Sequence, residues 1–481
     1  LVERAAGMIL AAGATSGDRV MIVKQPNFDV PLLAFACARV GVVPELIHPT
    51  VGPDNLAVLI ERAAPVAIVT DQRSESDGLF ATVTGSVPRW QIGSAGPTGF
   101  AQFDRGRVEL PARPVLANST PQLVTHTSGT TGVPKLVLQT ATTFDGQCRP
   151  QAVIGRLLRV RDPYLICISP VHVRTMAAIV STFVIGVPLG FMTQPDPATA
   201  ARMLERVRPG AVETVPNAFI RWEELTDDRP ELFESVRIYL STFDAAHPRT
   251  IDTLLAKGRR KARYIQVYGQ SETGPVAMKF YRAKRSILGR FRKPCEHSRC
   301  VGRALPGQSK IRIDAPGQHG REVPGAILAK SSATTPAYLG SPDQRVDGWW
   351  AMGDYGAISE RGCLHLYDRL VDRDADVDSL LALEDRILER IPQLTEAVLI
   401  PMDRGLPVPL ICTRQDAPLD ERLWWQAVAD LPDLASPVHC RWEDIPHTAT
   451  WKVRRPEAAR LLASADLPVL AVSNLREAGT S

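Results

Sequence analysis

The sequence lacks a long uninterrupted apolar run. Its longest uncharged stretch is Thr175 to Gln194, "TMAAIVSTFVIGVPLGFMTQ". Gly186, Pro188 and Gly190 break it, which predicts a buried helix followed by a turn or strand instead of a membrane span. Charge bias is also missing. Lys and Arg number 56 against 52 Asp and Glu, and a net charge of +4 is too small to imply a nucleic-acid partner. No secretory signal is apparent: "LVERAAGMILAAG" carries an early acid and fits an amphipathic helix, and the start at Leu1 leaves earlier residues to be expected. The eight cysteines are scattered and give no disulfide framework, so a reducing, cytoplasmic setting is expected. Cys295, His297 and Cys300 crowd together in "CEHSRC", but zinc takes about four ligands and no second pair stands nearby. Internal repeats and low-complexity tracts are absent.

What is present is an ordinary globular composition, 44% apolar and 22% charged over 481 residues, enough for two to four domains. Up to about residue 270 the pattern alternates. "DRVMIV", "PVAIVT", "PYLICIS", "AVETVP", "RIYLSTF" and "YIQVYG" read as strands, with helical stretches such as "DVPLLAFACARVG" and "PDNLAVLIERAA" between them. That rhythm predicts layered α/β structure. From about Gly307 short strands and turns take over, and after Arg369 the texture is mixed α/β again. The charged segment "DRLVDRDADVD" marks the change and predicts a boundary between residues 1–368 and 369–481.

The stretch "THTSGTTGVPKLVLQT", Thr125 to Thr140, sets glycines, hydroxyls and one lysine between two apolar runs. Backbone N–H groups of a Gly-rich turn can converge on an anion, with Ser128, Thr130 and Thr131 adding donors and Lys135 a mobile charge. The spacing is not that of the phosphate loop that opens a helix. "LVLQT" is short and β-branched, so this loop is expected to join two strands.

With that loop, four further segments in order resemble the adenylate-forming superfamily, which includes acyl-CoA synthetases, peptide-synthetase adenylation domains and luciferases. They are "YGQSETG" (Tyr268 to Gly274), "GWWAMGDYG" (Gly348 to Gly356), "DRLVD" (Asp368 to Asp372) and "PHTATWKVRR" (Pro446 to Arg455). The resemblance covers essentially the whole chain. It implies a large N-terminal domain of layered α/β subdomains with a β-rich subdomain, and a small mobile α+β C-terminal domain. It implies a carboxylic acid–CoA ligase working through acyl-AMP, with ATP, Mg²⁺ and coenzyme A. By resemblance, Thr127, Ser128, Gly129, Thr130, Thr131, Gly132 and Lys135 cradle the β and γ phosphates. Glu272 holds Mg²⁺, Ser271 donates to the α-phosphate, and Tyr268 and Gly269 lie by the adenine. Ala245 and Ala246 in "FDAAHP" fit a small-residue loop along the base. Asp354 accepts from the ribose hydroxyls, Arg369 reaches the ribose and phosphate, and Lys452 bridges carboxylate and α-phosphate. His172 matches a histidine between nucleotide and acyl sites.

The departures from the family fall toward the C-terminus. Asp368 stands for glycine, Val371 for an acid beside Asp372, Asp374 to Ser379 holds no glycine, and Trp451 replaces the glycine before the lysine. They leave other acceptors open: a carrier protein, a non-thiol nucleophile, or a thioester step on a supplied adenylate. A nucleotide-binding regulatory protein is the reading outside enzymes. The basic run Arg282 to Lys293 reads as a solvated loop or, alternatively, as a surface that meets the phosphates of coenzyme A or the acidic face of a carrier.

Overall fold

The computed structural model describes residues 1–92, 110–127, 132–282, 299–318, 320–341, 345–371, 379–402, 404–448 and 451–472. Ser128 to Thr131 of the phosphate loop, Cys295, His297, most of the basic run, and Asp372 with Asp374 to Asp378 therefore lie outside the described residues. The fold is mixed α/β with several sheets, as expected. Two compact units form. One comprises Leu1–Gln194, Gly269–Pro275 and Lys330–Trp350; the other comprises Pro195–Tyr268, Val276–Ala329 and Ala351–Ser481.

The first unit is built on a sheet of β1 (Arg19–Val23), β2 (Val43–Ile47), β3 (Ala67–Asp71), β4 (Arg89–Ile92), β5 (Pro121–His126) and β6 (Leu136–Thr140). β2, β1, β3 and β4 run parallel, and β5 joins parallel to β2. β2 and β3 are buried along their whole length, as parallel strands with both faces covered must be. β5 and β6 pair antiparallel, so the Gly-rich loop does join two strands. Tyr338–Leu339 adds antiparallel to the far edge of β6. The long apolar stretch resolves as the helix Val173–Ile185, stopped by Gly186 in the left-handed conformation, and a short strand Leu189–Phe191. Among the described residues no helix is long and apolar enough to cross a membrane.

In the second unit, Ala211–Thr214, Ile238–Ser241 and Arg263–Gln270 pair parallel. Antiparallel strands follow, including the hairpin Trp349–Ile358 with Leu364–Arg369, which sets Asp354 directly opposite Arg369. The chain beyond residue 369 forms a four-stranded sheet with the helices Leu380–Arg390, Glu421–Val428 and Arg455–Ala463. Its core holds Leu380, Ile387, Leu399, Ile411 and Trp424. This segment is tied to the rest of its unit by polar contacts. Arg249 donates to the carbonyls of Leu388 and Leu394 at 2.8 and 3.0 Å. Glu223 accepts from Arg414 at 3.0 Å and faces Arg249 at 3.2 Å. Asn217 donates to Glu396 at 2.9 Å.

Candidate active site

The first unit holds the described residues expected to handle the phosphates. Thr127 N–H donates to the Lys135 carbonyl at 3.0 Å, and Lys135 N–H donates to the Thr127 hydroxyl at 3.1 Å. These two bonds close the base of the Gly-rich loop. Gly132 takes φ +147°, which favours glycine. His126 steadies the same end. Its Nε2 accepts from His48 N–H at 3.0 Å, so its Nδ1 carries the proton and donates to the Thr127 carbonyl at 2.7 Å. Lys135 Nζ lies 5.0 Å from the ring centre of Tyr338.

The segment Gly269 to Gly274 is held from several sides. Gln139 and Gln147 both donate to the Ser271 carbonyl, at 2.9 and 3.1 Å. His172 caps its helix through Nδ1, which accepts from Arg174 N–H at 3.0 Å. Its Nε2 therefore bears the hydrogen and donates to the Ser271 hydroxyl at 3.1 Å. Glu272 is buried, with Oε1 accepting from the Tyr338 hydroxyl at 2.7 Å. Burial, and then the Glu272 carboxylate, push the Tyr338 phenol far above its ordinary pKa, so it stays a donor. Tyr338 was not legible as a site residue, because it lies 66 positions from Glu272 and no local pattern joins them. Gly269 is required sterically: a Cβ there would meet the Gly274 carbonyl oxygen at 2.0 Å. Gly269→Ala is expected to cost about 1–3 kcal/mol or more by overpacking against rigid backbone and to weaken ATP binding. Unchanged chemical denaturation together with unchanged ATP affinity would refute that role.

Glu272 suits a Mg²⁺ site of one kind. Among the described residues no group of three or more His, Cys, Asp or Glu side chains could hold a metal. A single carboxylate such as Glu272 fits a cation that takes further ligands from phosphate and water, as Mg²⁺ does when it accompanies nucleotide phosphates.

The second unit holds most of the residues expected to handle the nucleoside. The Tyr268 hydroxyl donates to Asp354 Oδ2 at 2.6 Å, and Arg369 Nε stands 3.6 Å from Asp354 Oδ1. Burial raises the Asp354 carboxyl above its ordinary range, although Arg369, the Tyr268 hydroxyl and Lys452 oppose this. Ala245 and Ala246 are buried, and Ala246 N–H donates to Gln266 at 3.2 Å. Phe243 lies just before them at φ +80°, a conformation costing a bulky residue about 1–3 kcal/mol. Its carbonyl accepts from Lys452 Nζ at 2.5 Å. Trp451 also takes a left-handed conformation, φ +55°, where the family has glycine; its N–H donates to the Thr448 carbonyl at 2.9 Å. The substitution keeps the turn at the cost of strain. Asp368, the other replaced glycine, is buried and accepts the N–H groups of Leu380 and Leu381, each at 3.2 Å. It caps the helix Leu380–Arg390 together with Ser379, and burial pushes its carboxyl up to about 6. Asp354→Ala removes the acceptor of Tyr268 and of the expected ribose hydroxyls. A charged hydrogen bond is worth ~1.5–3 kcal/mol, so the KM for ATP should rise roughly tenfold or more. Equal use of ATP and 2′,3′-dideoxy-ATP by the parent would contradict the assignment.

A family model described as AMP-binding enzyme matches residues 1–339. The chain belongs to the adenylate-forming superfamily. It is 36% identical over 496 residues to the 3-amino-2-hydroxy-4-methoxybenzoate diazotase of Streptomyces cremeus, covering 96% of this chain and 88% of that protein. It is 26% identical to the long-chain-fatty-acid–CoA ligase FadD15 of Mycobacterium bovis, covering 83% and 73%. Among solved structures, ATP-bound MatB from Rhodopseudomonas palustris superposes with a TM-score of 0.78 at 20% identity, covering 96% and 92%. As an adenylate-forming enzyme the chain takes ATP or AMP as its nucleotide and activates an acid.

Proposed function

We propose that this enzyme activates an oxyanion as its adenylate and passes the activated group to an aromatic amine, as a diazotase. The likeness to the Streptomyces cremeus diazotase along 96% of the chain carries the reading. Diazotisation needs a nitrogen donor at the oxidation level of nitrite. A nitrite oxygen attacks the α-phosphorus of ATP, an O–P bond forms, and pyrophosphate leaves. The amine nitrogen then attacks the nitroso nitrogen; the N–N bond forms, the N–O bond breaks, AMP leaves and the amine loses a proton. Uptake of a proton and loss of water from the resulting nitrosamine give the aryl diazonium product, and no external oxidant or reductant is required.

The residues divide by task. Thr127 to Gly132 and Lys135 receive the β and γ phosphates. Glu272 would hold Mg²⁺, which supplies charge neutralisation on the phosphates when bound. The Ser271 hydroxyl, oriented by His172, donates to the α-phosphate. Tyr268, Gly269, Ala245, Ala246, Asp354 and Arg369 handle the nucleoside. Lys452 stabilises charge developing between the attacking oxygen and the α-phosphate, the kind of positioned charge that lowers such barriers most. The expected boundary at 368/369 separates the domain carrying Lys452 from the rest.

A second reading is the carboxylic acid–CoA ligase, or acid activation for a carrier protein. The retained Lys135, Glu272, Asp354, Arg369 and Lys452 support it equally, because adenylation is common to both. The departures at Asp368, Val371 and Trp451 weigh against it, since they fall on segments that, by resemblance, serve the thiol step. The test offers ATP with ¹⁵N-nitrite and a panel of aminobenzoates, and separately ATP with carboxylic acids and coenzyme A. AMP, pyrophosphate exchange and product mass are followed in both. A ¹⁵N-labelled diazo product supports the first reading. Thioester without label transfer replaces it with the second.

A further inference from the structure

We propose that Asp244 is a positioning residue for Lys452, the counter-charge that keeps this lysine's ammonium in place beside the nucleotide-handling residues. The inference rests on Lys452 being the adenylating lysine. The sequence places Asp244 in "FDAAHP", beside the two alanines that fit close approach to a base, where a carboxylate has no part in that approach. The structure gives it one. Phe243, in its left-handed turn, directs its carbonyl to Lys452 Nζ at 2.5 Å. The next residue is Asp244, whose Oδ1 accepts Ala245 N–H at 2.7 Å. Arg299 NH1 stands 3.5 Å from the same oxygen, while Arg299 Nε is 2.8 Å from Asp385 and its NH2 donates to the Leu381 carbonyl at 2.9 Å. Asp244 is thus pinned at one oxygen by backbone and guanidinium, and its side chain remains 34% exposed. The turn that supplies an acceptor to the ammonium also supplies the carboxylate.

Among the described residues, the charged groups that act most strongly on Lys452 are Asp244, Arg369, Asp354 and Arg455. Burial lowers the Lys452 pKa, and the two arginines lower it further. Two carboxylates oppose them, Asp244 more than Asp354. Asp354 is already engaged by the Tyr268 hydroxyl and faces Arg369. Asp244 itself is pulled up by burial but held below the usual carboxylate range by Lys452, Arg299, the Ala245 N–H and Arg455. The balance favours its ionised form. The sign follows. With Asp244 present, Lys452 stays protonated to higher pH. With a neutral residue there, the ammonium gives up its proton at lower pH, and adenylation loses its cation on the alkaline side first.

The test reads Lys452 directly. The intact enzyme is pulse-labelled with acetic anhydride between about pH 6 and 11, a range bracketing the ordinary lysine pKa, and the Lys452 peptide is quantified by mass spectrometry. Asp244→Asn should move the labelling midpoint down, so that reactivity at about pH 8 rises roughly tenfold, while the high-pH plateau, which reports access, stays put. Asp244→Glu should restore the midpoint. Where pyrophosphate exchange is measurable, Asp244→Asn should lower kcat increasingly as pH rises and leave the KM for ATP unchanged. An unmoved midpoint in Asp244→Asn overturns the proposal. So does a raised plateau with no change of midpoint, which would mean that Asp244 only shields the lysine. Asp244→Ser is the second neutral variant; if neither neutral variant folds, the role is structural and the proposal fails. A lowered midpoint without exchange on any acid or nitrite would uphold this inference and remove the adenylating function instead.

Discussion

Lys452→Ala is expected to lower pyrophosphate exchange by about 10²–10³-fold, the cost of removing one preorganised group from developing charge. Lys452 sits on a tight turn: its N–H donates to the Thr448 hydroxyl at 3.2 Å, its carbonyl accepts Thr448 N–H at 2.9 Å, and Nζ reaches the Phe243 carbonyl. Alanine keeps that turn and removes the ammonium together with its aliphatic stem. Nucleotide affinity should change little, because Tyr268, Asp354 and Arg369 remain. Conversion of a supplied adenylate by its acceptor should also survive, since the phosphorus chemistry is then complete. Exchange and adenylate consumption, measured side by side, separate these outcomes. Equal loss in both would make the lysine structural or shared between steps. Exchange close to the parent's would remove it from the chemistry.

Arg455→Met is expected to destabilise the protein by about 3–5 kcal/mol, the penalty for leaving one partner of a buried ion pair. Glu384 on the helix Leu380–Arg390 is buried, accepts Leu399 N–H at 2.8 Å and pairs with Arg455 NH2 at 2.7 Å. Burial already holds its carboxyl above the usual range, and Arg455 is the largest influence opposing that rise. Without the arginine, the folded variant takes up a proton that the unfolded chain releases. Its stability is then greatest below the ordinary carboxylate pKa and is lost as pH rises through the raised folded value. Denaturation of parent and variant at several pH values checks both size and sign. A loss that does not shrink on acidification would mean that Glu384 is not the group left uncompensated.

Much of this enzyme was legible along the chain because its signals are local. Alternating apolar runs specified strands with helices between them. Gly186 and Pro188 turned an apparent span into a helix and a strand. The short β-branched run after Lys135 showed that its loop joins two strands, as β5 and β6 do. Five motifs in order identified the superfamily, which the family model over residues 1–339 bears out. The departures at Asp368 and Trp451 could be seen in the sequence but not explained there. Asp368 is explained by the helix N–H groups that it caps, whereas Trp451 stands in a left-handed turn that favours glycine and nothing in the structure explains its side chain there.

Partnerships over long separations belonged to the tertiary structure alone. Tyr338 meets Glu272 because an edge strand brings it there, Asp354 faces Arg369 because a hairpin sets their register, and the turn that carries Asp244 meets Lys452 because its Phe243 carbonyl accepts from the ammonium. Residue type and spacing determine local conformation and the kind of chemistry a motif can offer. Which charges become neighbours depends on how segments hundreds of positions apart pack together, and burial at that meeting determines how strongly they act on one another.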